Sequence, residues 1–208
     1  MIRETIPVGL LACNCSILGD EVSHEAIVVD PGYEIPRILQ LLAKHHLTVK
    51  TIFITHAHID HIASALRLKE ITGAPIVYNQ EDLPLVAIMS QQAAWLGVPV
   101  PDVAPPDHSP ADGEAIQAGA VRGNVMYTPG HTEGSICLYV PKERVLLAGD
   151  TLFAGGVGRT DLPGGDTGKL MASIEDRLMM LPNETLVVPG HGPETTIGEE
   201  RRSNPFLH

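Results

Sequence analysis

The 208-residue sequence predicts an α/β fold organised as a single domain, residues 1–208. Three observations carry that expectation. Apolar, β-branched runs of strand length alternate with segments of helical period. The order of elements, ββ–βαβα, then strands, then αβ, describes two similar halves facing each other. Five of the apolar runs end on His or Asp, as strands do at a sheet rim that carries a site.

Taken in order, residues 2–8 and 11–18 read as short strands that turn at Gly9 and again at Gly19-Asp20. Residues 26–29 (AIVV) form a buried strand with a sharp stop at Asp30-Pro31-Gly32. Ile35, Ile38, Leu39 and Leu42 give residues 34–46 a helical period, and Pro36 is tolerable in the first turn. Residues 51–54 are a second buried strand, leading into His56. Residues 59–72 return to helical spacing through Ile59, Ile62, Ala63, Leu66 and Ile71, and stop at Gly73. A short strand over 75–78 precedes a helix over 80–96. Residues 97–112 contain five prolines and read as an extended surface loop rather than a linker, because the strand pattern resumes directly afterwards. Strands follow over 113–118, 123–128, 135–140 and 144–149. Residues 151–166 hold five glycines and no period, and a loop of that length in a compact domain is usually functional. A helix over 167–181 stops at Pro182-Asn183, and a last strand, 185–189, ends in Pro189-Gly190-His191 before a short helix or coil.

Composition narrows the function. With 44% hydrophobic and 19% charged residues, a sizeable core is expected. A net charge of −11 argues against nucleic acid or an anionic membrane surface as partner, since both require a basic face. Cys13, Cys15 and Cys137 form no Cys-x-x-Cys pair and read as small buried hydrophobes in a reducing compartment. Leu10-Leu11-Ala12-Cys13 superficially resembles a lipoprotein cleavage box, but the apolar run before it is short and broken by Pro7 and Gly9, so it reads as strand. No run is long enough to span a bilayer, and a cytoplasmic location is expected.

Chemistry collects at residues 51–61, TIFITHAHIDH. His56, His58, Asp60 and His61 fall within six positions. With extended backbone through Thr55–His58, His56 and His58 point to one side and can hold one ion, while Asp60 and His61 point elsewhere. The other strand ends deliver Asp30, His131, Asp150 and His191. These residues sort into His56, His58 and His131 around one ion and Asp60, His61 and His191 around a second, with the two oxygens of Asp150 bridging. An all-N/O donor set suits two divalent ions, zinc first, with iron or manganese as alternatives. Asp30 fits neither set and is read either as an acceptor that orients a ligand histidine or as a turn residue. His24, His45, His46, His108 and His208 are read as surface residues.

His56-x-His58-x-Asp60-His61, Thr128-Pro129-Gly130-His131-Thr132, Gly149-Asp150-Thr151-Leu152-Phe153 and Pro189-Gly190-His191-Gly192, in this order, resemble the metallo-β-lactamase superfamily. The resemblance implies an αββα sandwich with the metals at one edge and the same ligand assignment. Within the superfamily, Gly149–Phe153 together with Gly158-Arg159-Thr160-Asp161 looks like the short bacterial form of glyoxalase II, the hydroxyacylglutathione hydrolases. That implies hydrolysis of a small-molecule acyl thioester, S-lactoylglutathione or a relative, by a hydroxide bridging the ions. No separate nucleophilic side chain is needed, and Asp60 is a candidate proton handler. The longer glyoxalase II enzymes use a helical C-terminal domain for much of the glutathione contact, and this sequence ends soon after His191, which leaves the thiol open. Arg159 is a candidate for a substrate carboxylate, although an internal pair with Asp161 or Asp166 is the expectation. The Gly-Arg-Thr-Asp run is also shared with persulfide dioxygenases, which use one iron, and His56, His131 and Asp150 would suit such a site. Lactone or β-lactam hydrolysis is a further alternative; RNA processing is disfavoured by charge and length, and a non-catalytic metal-binding module by the complete donor set.

Overall fold

The computed structural model describes residues 1–207; His208 lies outside the described residues. Strands β1 (Ile2–Val8), β2 (Cys13–Gly19), β3 (Glu25–Val29), β4 (Thr48–Phe53) and β5 (Ile76–Val77) form one sheet in that order. β1–β2–β3 are antiparallel; β3, β4 and β5 run parallel, so the C-terminal ends of the last three lie on one rim. The second sheet contains β6 (Ala115–Ala118), β7 (Val121–Tyr127), β8 (Ile136–Val140), β9 (Val145–Gly149), β12 (Leu186–Pro189) and β13 (Thr195–Thr196), in the order β13-β12-β9-β8-β7-β6. β9 and β12 are its parallel pair.

Period-two alternation explains the layering. In β3, Ile27 and Val29 face the second sheet, while Ala26 and Val28 face the helices. In β9, Val145 and Leu147 meet the first sheet, and Leu146 and Ala148 face the other way. Leu18, Phe53 and Val77 therefore interleave with Ile116, Val125, Ile136, Leu138 and Val188 between the sheets. Outside the first sheet lie α1 (Ile35–Lys44), α2 (Ile59–Ile62), α3 (Ala65–Thr72), α4 (Leu83–Ala87) and α5 (Met89–Leu96). Outside the second lie α6 (Thr167–Asp176) and α7 (Ile197–Ser203). The result is an αββα sandwich.

Four expected elements differ in detail, the first being the helix expected over 167–181, which ends at Asp176 and gives way to a 3-10 turn, Leu178–Met180. The helix expected over 59–72 is broken between α2 and α3, where the Ser64 N–H donates to the Pro31 carbonyl at 3.1 Å and ties the segment to the end of β3. The helix expected over 80–96 is a 3-10 turn, Gln80–Asp82, followed by α4 and α5. Asn79 caps the turn by accepting from Glu81 N at 3.0 Å, and Pro84, with no N–H to give, sits where a new helix starts. The 151–166 loop contains a small hairpin, β10 (Leu152–Phe153) with β11 (Gly156–Val157). The proline-rich 97–112 stretch covers the first helical layer, with Val98 and Val103 packed on its core and the Ala104 carbonyl accepting from Tyr78 Oη at 2.9 Å. Cys13, Cys15 and Cys137 are buried and free, and burial pushes Cys13 up to about 12 and Cys137 to about 11. His24, His46 and His108 are exposed, and His45 lies half-buried against Glu4.

Candidate metal centre

The parallel strands of both sheets end on the same edge of the sandwich, and that edge is stitched together. Ile136 N donates to Thr55 O at 2.9 Å, and Asn14 N donates to Gly190 O at 2.7 Å. Asn14 Nδ2 adds bonds to the carbonyls of Pro189 and Gly192. The loops after β4, β7, β9 and β12 thereby bring together residues up to 135 positions apart, His56 to His191.

His56 Nε2, His58 Nδ1 and His131 Nε2 form one triangle with sides of 3.0, 3.0 and 3.2 Å. Asp60 Oδ2, His61 Nε2 and His191 Nε2 form a second, with sides of 3.1, 3.3 and 3.6 Å. Asp150 stands between them. Its Oδ1 is 3.5 Å from His61 Nε2, and its Oδ2 is 3.6 Å from both His131 Nε2 and His191 Nε2. Gly190 makes this approach possible, since a Cβ there would fall 2.0 Å from Asp150 Oδ1 and 2.7 Å from His61 Cε1.

The remaining ring nitrogens settle which atoms face inward. His131 Nδ1 donates to the Arg159 carbonyl at 2.7 Å, and His191 Nδ1 donates to the Leu11 carbonyl at 2.9 Å. His61 Nδ1 donates to Asp30 Oδ2 at 2.9 Å. Thr55 Oγ1 gives its only proton to Asp30 Oδ2 at 2.7 Å, so at 3.1 Å it accepts from His56 Nδ1. In each neutral ring the Nε2 lone pair then points into the centre. Unshielded lone pairs so close repel, and a cation among them removes that repulsion. Nitrogens bound at about 2.0–2.1 Å around a tetrahedral ion stand roughly 3.3 Å apart, close to the spacing seen here. Asp150 Oδ1 is buried without a hydrogen-bond partner, which is the state of a carboxylate oxygen kept for a metal. The donor set therefore fits two divalent ions.

Charge differs between the two triangles. Burial, then the neighbouring histidines, holds His56 well below the ordinary imidazole range. Burial likewise brings His58 down to about 3, so these two imidazoles stay neutral. Burial also opposes charge on His61, but the carboxylates of Asp60, Asp150 and Asp30 around it carry its pKa well above the usual value. Burial opposes charge on His191 as well; its bond to Asp60 outweighs that and raises it. The second triangle is thus the one whose surroundings favour positive charge.

Two residues that sequence reading passed over hold the loops in place. Asp82 accepts from Ala57 N at 2.8 Å, from Thr132 Oγ1 at 3.0 Å and from Gly134 N at 2.7 Å. It joins the residue between His56 and His58 to the turn that carries His131. Gln92 Oε1 accepts from Ile59 N at 2.9 Å, and its Nε2 donates to the carbonyls of Leu85 and Ala57. Neither had a signal beyond being polar within a segment of helical period. Arg159 pairs in fork geometry with Asp161, both bonds at 2.7 Å, and Asp166 instead caps α6 through Lys169 N. A cavity of about 580 Å³ opens over the centre, lined by His58, Asp60, His131, Asp150 and His191 below and by Leu11, Trp95, Leu96, Arg159 and Leu162 at the walls.

Residues 8–191 match the family described as the metallo-beta-lactamase superfamily. The chain belongs to this superfamily. Membership carries divalent-metal binding and, in general, hydrolytic chemistry. Among curated relatives, the hydroxyacylglutathione hydrolase GloC of Haemophilus influenzae is 38% identical over 207 residues, 99% of this chain and 97% of that protein. Among solved structures, BLEG-1, a B3 metallo-beta-lactamase, superimposes with a TM-score of 0.92 at 35% identity over 99% of each chain. TTHA1623 in a di-iron-bound form gives 0.88 at 37% identity over all of both chains. ETHE1 from Myxococcus xanthus gives 0.82 at 31% identity, covering 99% of this chain and 84% of that one. Among the described residues no helix is long and apolar enough to cross a membrane.

Proposed function

We propose that the chain is a glyoxalase II-like thioester hydrolase acting on S-lactoylglutathione or a related small acyl-thiol in the cytoplasm. The observation that carries this reading is the likeness to GloC along 99% of the chain. His56, His58 and His131 would hold one divalent ion and Asp60, His61 and His191 a second, with Asp150 shared; zinc is the first candidate. When bound, the ions supply Lewis acidity and a water acidified to a pKa of about 7. The chain's own groups do the rest. Asp30, Thr55 and the carbonyls of Leu11 and Arg159 keep the ring protons of four histidines on the outside. Asp60, on the cavity floor with Oδ2 3.1 Å from His191 Nε2, is placed to take a proton. Water adds its oxygen to the acyl carbon, the C–S bond breaks, and the departing sulfur leaves as thiol beside a free carboxylic acid. Neither nucleic acid nor membrane takes part in this reading.

The ETHE1 neighbour keeps one alternative open, oxidation of a persulfide at a single iron, and the likeness to BLEG-1 keeps lactam hydrolysis open. One sample tests all three. Metal content per chain is measured beside thiol release from S-D-lactoylglutathione, O₂ uptake with glutathione persulfide, and opening of a β-lactam. Two ions with thiol release are expected. One iron with O₂ uptake and no thiol release would overturn the proposal, as would β-lactam opening alone. His61→Ala should lose one ion per chain and most thiol release.

A further inference from the structure

The wall of the cavity carries information that the donor set does not. Trp95 is the only tryptophan in the chain, lines the cavity, and leaves 56% of its surface exposed. Leu11, in the turn between β1 and β2, lines the same cavity and is 44% exposed, and Leu96 and Leu162 add to the apolar lining. Exposed apolar side chains that gather around a catalytic opening, rather than scattering singly, mark a ligand surface. These walls are also fixed to the centre. Trp95 stands one turn beyond Gln92 on α5, and Gln92 is bonded to Ile59 N, beside His58. Leu11 presents its carbonyl to His191 Nδ1.

The charge of the wall points the same way. Arg159 is the single Lys or Arg among the described residues lining the cavity, and its guanidinium is already forked onto Asp161. The floor adds Asp60 and Asp150. Glutathione carries two carboxylates and an ammonium, and away from the metal centre the wall offers the carboxylates one side-chain cation, already engaged with Asp161.

Resting on the thioesterase reading, we infer that the apolar shelf of Trp95, Leu11, Leu96 and Leu162 receives the thiol arm of the substrate, and that the enzyme selects thioesters of uncharged, apolar thiols over those of glutathione. Under that reading the acyl group is small and hydroxylated, so the shelf falls to the other arm. Trp95 is then the residue that sets specificity.

The test uses the metal-loaded protein with two substrates that share the lactoyl group, the thioester of benzyl mercaptan and that of glutathione. The benzyl thioester should be cleaved with a kcat/KM at least about tenfold higher, the return expected from burying an aromatic ring. Trp95→Ala should collapse that ratio through KM for the benzyl thioester, and Trp95→Phe should keep most of it. A loss of folded protein lowers both rates together and leaves the ratio alone. Because Trp95 is the only tryptophan, benzyl mercaptan should also shift the intrinsic fluorescence at concentrations where glutathione does not. Equal or better cleavage of the glutathione thioester, or a ratio unchanged by Trp95→Ala, overturns this inference and leaves the thioesterase reading standing. Release of thiol from neither substrate removes the thioesterase reading, and this inference with it.

Discussion

At the residue scale the centre depends on a carboxylate that does not line the cavity. Asp30 sits at φ 51°, a left-handed conformation that Asp tolerates better than most side chains, just where β3 stops. Its Oδ1 takes the Thr55 N–H at 2.7 Å, while its Oδ2 takes the Thr55 hydroxyl and the His61 Nδ1–H. Through Thr55 Oγ1 the same carboxylate fixes His56, so one residue orients a histidine in each triangle. The two readings the sequence left open for Asp30, turn and acceptor, describe the same residue: the turn is what aims the carboxylate inward. Asp30→Asn puts an amide N–H against one of these donors and frees a ring to flip. Metal affinity should fall by about 10- to 100-fold, measured by competition with a chromogenic chelator. Thr55→Val, which disconnects only the His56 branch, should lose less. Unchanged affinity in Asp30→Asn would show that packing alone orients the rings.

At the scale of elements, the breaks in the helices matter more than the helices. Asp82 closes the 3-10 turn Gln80–Asp82, directly before α4 starts at Leu83, and from there reaches the loops of His56–His58 and His131. Asp82→Ala strands the Ala57 and Gly134 N–H groups and leaves the Thr132 hydroxyl with Ser135 alone, and unsatisfied buried donors cost about 1–3 kcal/mol each. A fall in Tm of roughly 10 °C is expected by differential scanning calorimetry, and a fall of only one or two degrees would mean that water replaces the carboxylate. Asp20 plays the corresponding part at the far end of the sandwich. It accepts from Ser23 Oγ at 2.7 Å and from Ala120 N at 3.1 Å, tying the β2–β3 turn to the β6–β7 turn. Those bonds, Ser23 first, hold its carboxyl well below the usual range. A depressed folded pKa gives stability that is present above the unfolded value, near 4, and lost as the pH falls through the folded one. The Tm of Asp20→Asn should therefore lie below that of the native chain at neutral pH, with the gap closing as the solution is acidified. A gap that is constant with pH would mean that the amide loses shape rather than charge. The bonds to Ala57, Gly134 and Ala120 were not legible in the sequence, because a bond to a backbone N–H requires no particular residue at the other end.

At the scale of the whole molecule, much more could be read ahead. The two halves were visible because strand and helix periods differ, and the strand ends were visible because His and Asp are out of place after runs such as AIVV and VLLAG. What periodicity could not supply was the register that joins the sheets, since the Thr55–Ile136 and Asn14–Gly190 bonds are main chain to main chain. The same architecture sets a final expectation. His56, His58, Asp60 and His61 come from the half built on β3–β5, and His131, Asp150 and His191 from the half built on β7–β12. Ions at the centre would thus clamp one half to the other as well as activate water. Without them the rim keeps the closely spaced nitrogens of the first triangle and three buried or half-buried carboxylates, Asp30, Asp60 and Asp150, at close quarters. Ions bound only by the folded state stabilise it by about 4 kcal/mol when free metal exceeds Kd about a thousandfold. Exhaustive chelation should lower Tm by roughly 10 °C, and titrating zinc back should raise it progressively with concentration. His131→Ala and His61→Ala, one from each half, should each flatten that response. A Tm indifferent to chelation, with loss of the ions verified by elemental analysis, would show that packing between the sheets holds the halves together unaided.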